Sequence, residues 1–153
     1  MGSVKTNFII ETGFLKDKSV TTAFKKKVRE YIKILSKDEG LNYNTISFLF
    51  CDDSKIREYN KTYLSHDYET DILTFFDTDD DGKAESDIII STDTVEYNAN
   101  RFKKTFSEEL FRVILHGLLH LCGYDDKDKK NKLIMTSKED EYLEKVGYVN
   151  LFR

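Results

Sequence analysis

The sequence predicts an α+β protein, with one small mixed β-sheet and helices packed on it, in a single domain over residues 1–153. Three observations carry this. Short runs rich in β-branched and aromatic residues alternate with longer segments whose apolar residues recur at helical spacing. The pair Asp81-Gly82 falls between two of the short runs, which signals a hairpin and so an antiparallel pair. A helical segment separates the first two runs, as the crossover between parallel strands requires. The length suffices for a proper core, and no repeat, low-complexity tract or linker divides the chain.

In chain order, Phe8-Ile9-Ile10 reads as the first strand. Val20, Phe24, Val28, Tyr31, Ile32 and Leu35 mark a helix over residues 19–37 that ends near Gly40. Thr45 to Cys51 is the second strand. Asp52, Asp53 and Ser54 cap a helix with Ile56, Tyr59 and Tyr63 on one face. Residues 70–76 and 87–91 are strands, and Asp93 to Phe102 is a helix. Ser107 is expected to cap a long helix that starts with Glu108 and Glu109 and runs to Cys122. A last helix covers 128–146, with Leu133, Ile134, Leu143 and Val146 as its apolar positions and Gly147 as its stop.

Composition excludes several classes. No apolar run approaches the roughly 18 residues of a membrane span, and no basic-then-apolar start marks a secretory signal. The start Met1-Gly2-Ser3-Val4-Lys5-Thr6 fits the loose myristoylation pattern, which arises often by chance. Two cysteines, Cys51 and Cys122, are too few for a disulfide scaffold and read as buried free thiols of a reducing cytosol. A formal charge of −4 argues against nucleic-acid binding through bulk electrostatics. Local basic runs remain, at Lys25, Lys26, Lys27 and Arg29 and at Arg101, Lys103 and Lys104, though solvated surfaces are the commoner explanation of each. There is no proline, so turns rely on Gly, Asp and Asn.

The chemistry concentrates in residues 116–126. Of three histidines, His116 and His120 stand four apart in an apolar run. On a helix they share a face, with Cβ atoms roughly 5–6 Å apart, which suits two imidazoles on one metal ion. Gly123 ends the helix and lets the chain turn back. Asp126 is then the best-placed third ligand, with Asp125 and Asp128 as alternatives. Three protein ligands and an open position describe a catalytic rather than a structural site. Cys122 is two residues past His120 and points to another face. Zinc peptidases place a general-base Glu beside the first His. Here that position is Gly117, which argues against a peptidase and suggests that space is needed beside the metal. The acidic stretch Asp77 to Glu85 looks like a calcium loop, but the twelfth position is Ile88 instead of Glu and the flanks are strands, so it reads as a solvated turn.

The segment His116-Gly-Leu-Leu-His120-Leu-Cys-Gly-Tyr-Asp-Asp126 resembles the signature of the YbeY family of bacterial rRNA-maturation endoribonucleases, His-Gly-x-Leu-His-Leu-x-Gly-Tyr-Asp-His. It departs only at Asp126, where the family has a third His. Thr70-Asp-Ile-Leu-Thr-Phe75 and Asp87-Ile-Ile-Ile-Ser91 are similar to two family strands, with Ser86 in place of Gly. Asn60-Lys-Thr-Tyr63 matches Asn-x-x-Tyr, but Leu64 follows where the family usually has Arg.

The resemblance implies a cytoplasmic, metal-dependent endoribonuclease acting on single-stranded RNA. It implies a role in rRNA processing, at the 3′ end of small-subunit rRNA, and in ribosome maturation and quality control. Its partners would be rRNA and the ribosomal small subunit, with no DNA and no membrane. The ligand set suits Zn²⁺, although Mn²⁺, Co²⁺, Ni²⁺ and Fe²⁺ also accept it. Asp126 adds negative charge, which weakens the ion as a Lewis acid and favours harder metals. Arg112, one turn before His116, is a candidate to bind a phosphate or to pair with Glu108. His66, two residues beyond Leu64, is the candidate to replace the family's Arg, with Lys61 beside it. Two other readings fit: a metal-binding ribosome-assembly factor that cleaves poorly or not at all, and a metal-dependent hydrolase of another substrate.

Overall fold

A computed structural model describes residues 4–78 and 84–151. The elements run β1 (Lys5–Ile10), α1 (Lys18–Asp38), β2 (Thr45–Cys51), α2 (Asp53–Leu64), β3 (Ile72–Thr78), β4 (Ala84–Ser91), α3 (Thr92–Arg101), α4 (Phe106–Leu121) and α5 (Lys129–Val146). The strands form one mixed sheet in the order β1-β2-β4-β3. β1, β2 and β4 are parallel, and β3 runs antiparallel to β4. Both the crossover through α1 and the antiparallel pair agree with the sequence reading. The centre of the acidic stretch, residues 79–83, lies outside the described residues.

Strand alternation divides the sheet into two faces. Phe48 and Phe50 of β2 lie in register with Ile88 and Ile90 of β4. With Phe24, Val28, Tyr31 and Leu35 of α1 and the apolar residues of α4, they form the main core. On the opposite face α2 covers less, packing Ile56 against Leu73, Ile89 and Cys51. β3 is a sheet edge, and the histidine end of α4 lies against it.

α4 is the central helix, enclosed on nearly all sides. From Glu108 to His120 only every fourth residue is half-exposed: Glu108, Arg112, His116 and His120. A helix apolar almost all round belongs in a core, so this one polar row is the feature that needs a function. Gly117 lies on a packed side. A Cβ there would sit 2.7 Å from Ile72 Cδ1 and 3.2 Å from Ile88 Cγ2. The expectation that the glycine leaves room beside the metal is corrected: it lets α4 approach β3 and β4 closely.

Two other expectations are also corrected. Thr105, not Ser107, caps α4, its side chain accepting from the Glu108 amide at 3.0 Å. Ser107 is buried and accepts instead from the Leu151 amide at 2.7 Å. On α5, Leu133 is 65% exposed, and Ile134 is exposed too. The buried residues there are Met135, Glu139 and Tyr142. Two of these are polar, and they are buried because each has partners for its polar atoms. Among the described residues no helix is long and apolar enough to cross a membrane.

Candidate metal centre

The site begins with the end of α4. Gly123 takes φ +102°, a conformation that glycine adopts without strain. Its amide donates to the His120 carbonyl at 3.0 Å, and the Tyr124 amide donates to the Leu119 carbonyl at 3.1 Å. This reversal, expected from the sequence, carries residues 124–126 back over the histidines. The Tyr124 carbonyl then accepts from His120 Nδ1 at 2.9 Å. His116 Nδ1 lies 2.6 Å from Glu139 Oε2 on α5.

Both imidazoles are therefore held by Nδ1 and present Nε2 to the same point. The two Nε2 atoms are 3.0 Å apart. Asp126 Oδ2 is 3.2 Å from Nε2 of His116, and Oδ1 is 3.8 Å from Nε2 of His120. Two unprotonated imidazoles and a carboxylate at these distances repel one another, so the cluster calls for a shared proton or a metal ion among the three atoms. The three ligand atoms fall within 4.8 Å of one another, so the cluster can hold a metal ion. The outer hydrogen bonds fix tautomer and ring orientation, as supporting partners do around metal-bound His. Burial alone would push the His116 imidazole down, but Glu139, Asp126 and Asp71 outweigh it and raise its pKa.

The other candidates are outside the cluster of three ligand atoms. Asp125 lines the same groove, and its Oδ1 accepts from the Lys127 amide at 3.3 Å. Asp128 caps α5. Cys51 is buried, whereas Cys122 is only half-buried; burial pushes both thiols up to about 12, so neither offers a thiolate at neutral pH. Arg112 does not pair with Glu108. Its guanidinium donates to Glu139 at 3.0 Å and to Asp140 at 2.6 Å, while Glu108 pairs with Lys104 at 3.4 Å. His66 is exposed after α2, stacked on Tyr68 with ring centroids 5.3 Å apart, and it does not line the groove.

Sequence reasoning missed three carboxylates. Glu139 is buried and bridges Arg112 to His116. Glu39, at the end of α1, accepts from Tyr124 Oη at 2.6 Å, Tyr142 Oη at 2.5 Å and Lys138 Nζ at 3.1 Å. It thereby anchors the loop that carries the Tyr124 carbonyl. Burial works against the Glu39 charge, but these hydrogen bonds hold its carboxyl below the usual range. Glu109 is 6% exposed, and burial, reinforced by Asp71, pushes its carboxyl up to about 7. Only long-range packing brings these groups together, and no local spacing signals it.

Glu109 has a measurable consequence. Below its ordinary value of 4.5 the carboxyl is protonated in the folded and unfolded chain alike. Above that, the folded state keeps a proton that the unfolded chain releases, so stability falls as pH rises through about 7. Glu109→Gln should remove this decline, worth about 3 kcal/mol at full extent. Urea denaturation at pH 5 and pH 8 checks it: the variant should gain on wild type at pH 8, and parallel behaviour would remove the claim.

The metal cluster opens into a groove of about 520 Å³ between β3 and the loop after α4. Thr70, Asp71, Thr74 and the exposed Phe76 line the strand side, and Asp125, Asp126 and Lys127 line the loop side. Fold and site together define an α+β domain whose helix-borne His-His-Asp cluster can hold a metal ion beside an open, strand-bordered groove. The profile of a known family, Endoribonuclease YbeY, matches residues 13–147. The chain belongs to the YbeY family.

Its relatives include proteins named Endoribonuclease YbeY. That of Parabacteroides distasonis is 45% identical over 119 residues, covering 78% of this chain and 83% of the relative. That of Christiangramia forsetii is 38% identical over 137 residues, covering 90% and 91%. A Thermotoga maritima protein solved in solution is similar with a TM-score of 0.62 and 31% identity, covering 92% of this chain and 88% of that one.

Proposed function

We propose that this chain is a cytoplasmic, metal-dependent endoribonuclease that acts in rRNA processing at the ribosomal small subunit, including maturation of the 3′ end of its rRNA. The single observation that carries the reading is the convergence of two Nε2 atoms and one carboxylate in an open groove, in a chain whose relatives bear the endoribonuclease name. His116, His120 and Asp126 are the ligands, and Zn²⁺ suits them. An ion bound there supplies Lewis acidity toward a phosphoryl oxygen and a water of lowered pKa.

The chain's own residues do the rest. Glu139 and the Tyr124 carbonyl keep the imidazoles aimed at one point. Arg112 acts as a positioning residue through Glu139. His66 is stacked on Tyr68 and does not line the groove. Phe76 offers an exposed aromatic face for a base, of the kind single-stranded nucleic acids stack on.

The test is cleavage of a labelled single-stranded RNA by purified protein, beside His120→Ala protein and a chelator-treated sample. Cleavage by wild type alone, restored by one added metal, is the expected result. Equal cleavage in every sample would mean a contaminating nuclease and would sink the assignment. No cleavage in any would leave a metal-binding ribosome-assembly factor. That second reading draws support from the groove, which no arginine lines among the described residues, and from Leu64 at the position of the family's Arg.

A further inference from the structure

The groove poses an electrostatic problem for an RNA substrate. Asp71, Asp125 and Asp126 line it against one cation, Lys127, in a chain of net charge −4. Phosphates must be drawn in by positive charge placed beside the site. The two basic runs singled out in the sequence are poorly suited. Lys25 and Arg29 lie over the Phe8 ring, at 5.5 and 5.4 Å from its centroid. Phe8 belongs to β1, at the opposite sheet edge from β3, roughly 14 Å away at ordinary strand spacing. Lys27 pairs with Glu30 at 2.8 Å, and Lys104 with Glu108 at 3.4 Å.

A third basic run follows the metal cluster. Directly after Asp126 come Lys127, Lys129, Lys130 and Lys132, all exposed. Among the described residues none of these four ammonium groups forms an ion pair, whereas Lys138 and Lys145 further along α5 both do. Lys127 itself lines the metal groove. Lys132 precedes Glu139 by seven residues, or about 20° short of two full turns. It therefore shares the side of α5 that carries Glu139 to His116. The first turn of α5 holds no acidic residue. Asp128 caps the helix there, but lysines in the first turn oppose the helix dipole, so they gain nothing from that position.

We propose that Lys127, Lys129, Lys130 and Lys132 form the surface that binds the phosphodiester backbone of the RNA and leads the strand into the groove beside His116 and His120. The inference rests on the endoribonuclease reading. Four lysines without an ion pair against one aspartate, the cap Asp128, within six residues, starting one residue past a candidate metal ligand, give a local excess of positive charge that the overall charge denies.

The test is binding of a fluorescein-labelled single-stranded RNA of twelve nucleotides to metal-loaded protein, followed by anisotropy across a KCl series. Wild type is compared with a variant carrying Lys127→Gln, Lys129→Gln, Lys130→Gln and Lys132→Gln. A charge-matched control carries Lys16→Gln, Lys18→Gln, Lys26→Gln and Lys33→Gln. These positions are all exposed, and matching circular dichroism melts establish that each protein is folded. The cluster variant should bind at least tenfold more weakly at low salt. Its slope of log affinity against log salt should be shallower by about 2–3, at roughly 0.7 per phosphate contact. In cleavage assays KM should rise while kcat stays within twofold.

Wild-type affinity and slope in the cluster variant would overturn the proposal, as would an equal loss in the control. Wild type that shows the salt-dependent binding but cleaves no RNA would remove the endoribonuclease reading and uphold the surface. Absence of RNA binding by wild type would overturn both.

Discussion

Glu139→Ala protein is expected to lose stability and metal affinity together. The carboxylate is almost enclosed, with its side chain 8% exposed, and each oxygen has its own partner. Oε1 accepts from Arg112 and Oε2 faces His116 Nδ1. Truncation strands a half-buried guanidinium and frees an imidazole. Breaking a buried ion pair costs about 3–5 kcal/mol, and the low end applies because Arg112 keeps Asp140. Loss of a partner behind a metal-bound His typically costs about 10–100-fold in metal affinity. Chemical denaturation and zinc titration read the two effects separately. Glu139→Gln, which keeps the shape and an acceptor, should recover part of both. Unchanged zinc affinity in the alanine variant would show that Glu139 serves the fold alone.

Gly117→Glu, which would restore the general-base position of a zinc peptidase, is expected to unfold the protein rather than alter its specificity. The first side-chain carbon would already sit 2.7 Å from Ile72 Cδ1. The carboxylate beyond it would then be buried between Ile72 and Ile88 without a partner, at a cost of several kcal/mol. Gly117→Ala tests the same contact more gently, since overpacking by one methyl costs about 1–3 kcal/mol. Soluble expression and thermal melting check both variants. A folded Glu variant with a near-wild-type melt would mean that the helix-sheet contact is loose.

What could be read from the sequence was what depends on neighbours in the chain. The i, i+4 histidines, the Gly123 reversal and Asp126 are set by helix geometry and one turn, so their convergence was visible in the spacing. The strand around Thr45 and the α1 crossover were equally legible from periodicity. The roles of Gly117, Glu139, Glu39 and Glu109 were not. Each depends on an element distant in sequence: β3 and β4, α4, the Tyr124 loop with α5, and the Asp71 region. The misjudged apolar positions on α5 share this cause. Leu133 stays in solvent while Glu139 is buried with a partner on α4 for each of its oxygens.

The polar row on α4 bears on how a metal is acquired. With every other side of the helix packed, turning α4 by one residue would bury Arg112 and both imidazoles and expose core residues, Phe111, Leu115 and Leu119 in one direction or Glu109 and Val113 in the other. The core therefore sets the rotation of the helix, and the ligand atoms are in position as soon as the chain has folded. Small zinc-dependent domains use the ion to complete their folding. A metal ion bound here would enter a receptacle that the core already shapes, and its loss would leave the packing of α4 in place.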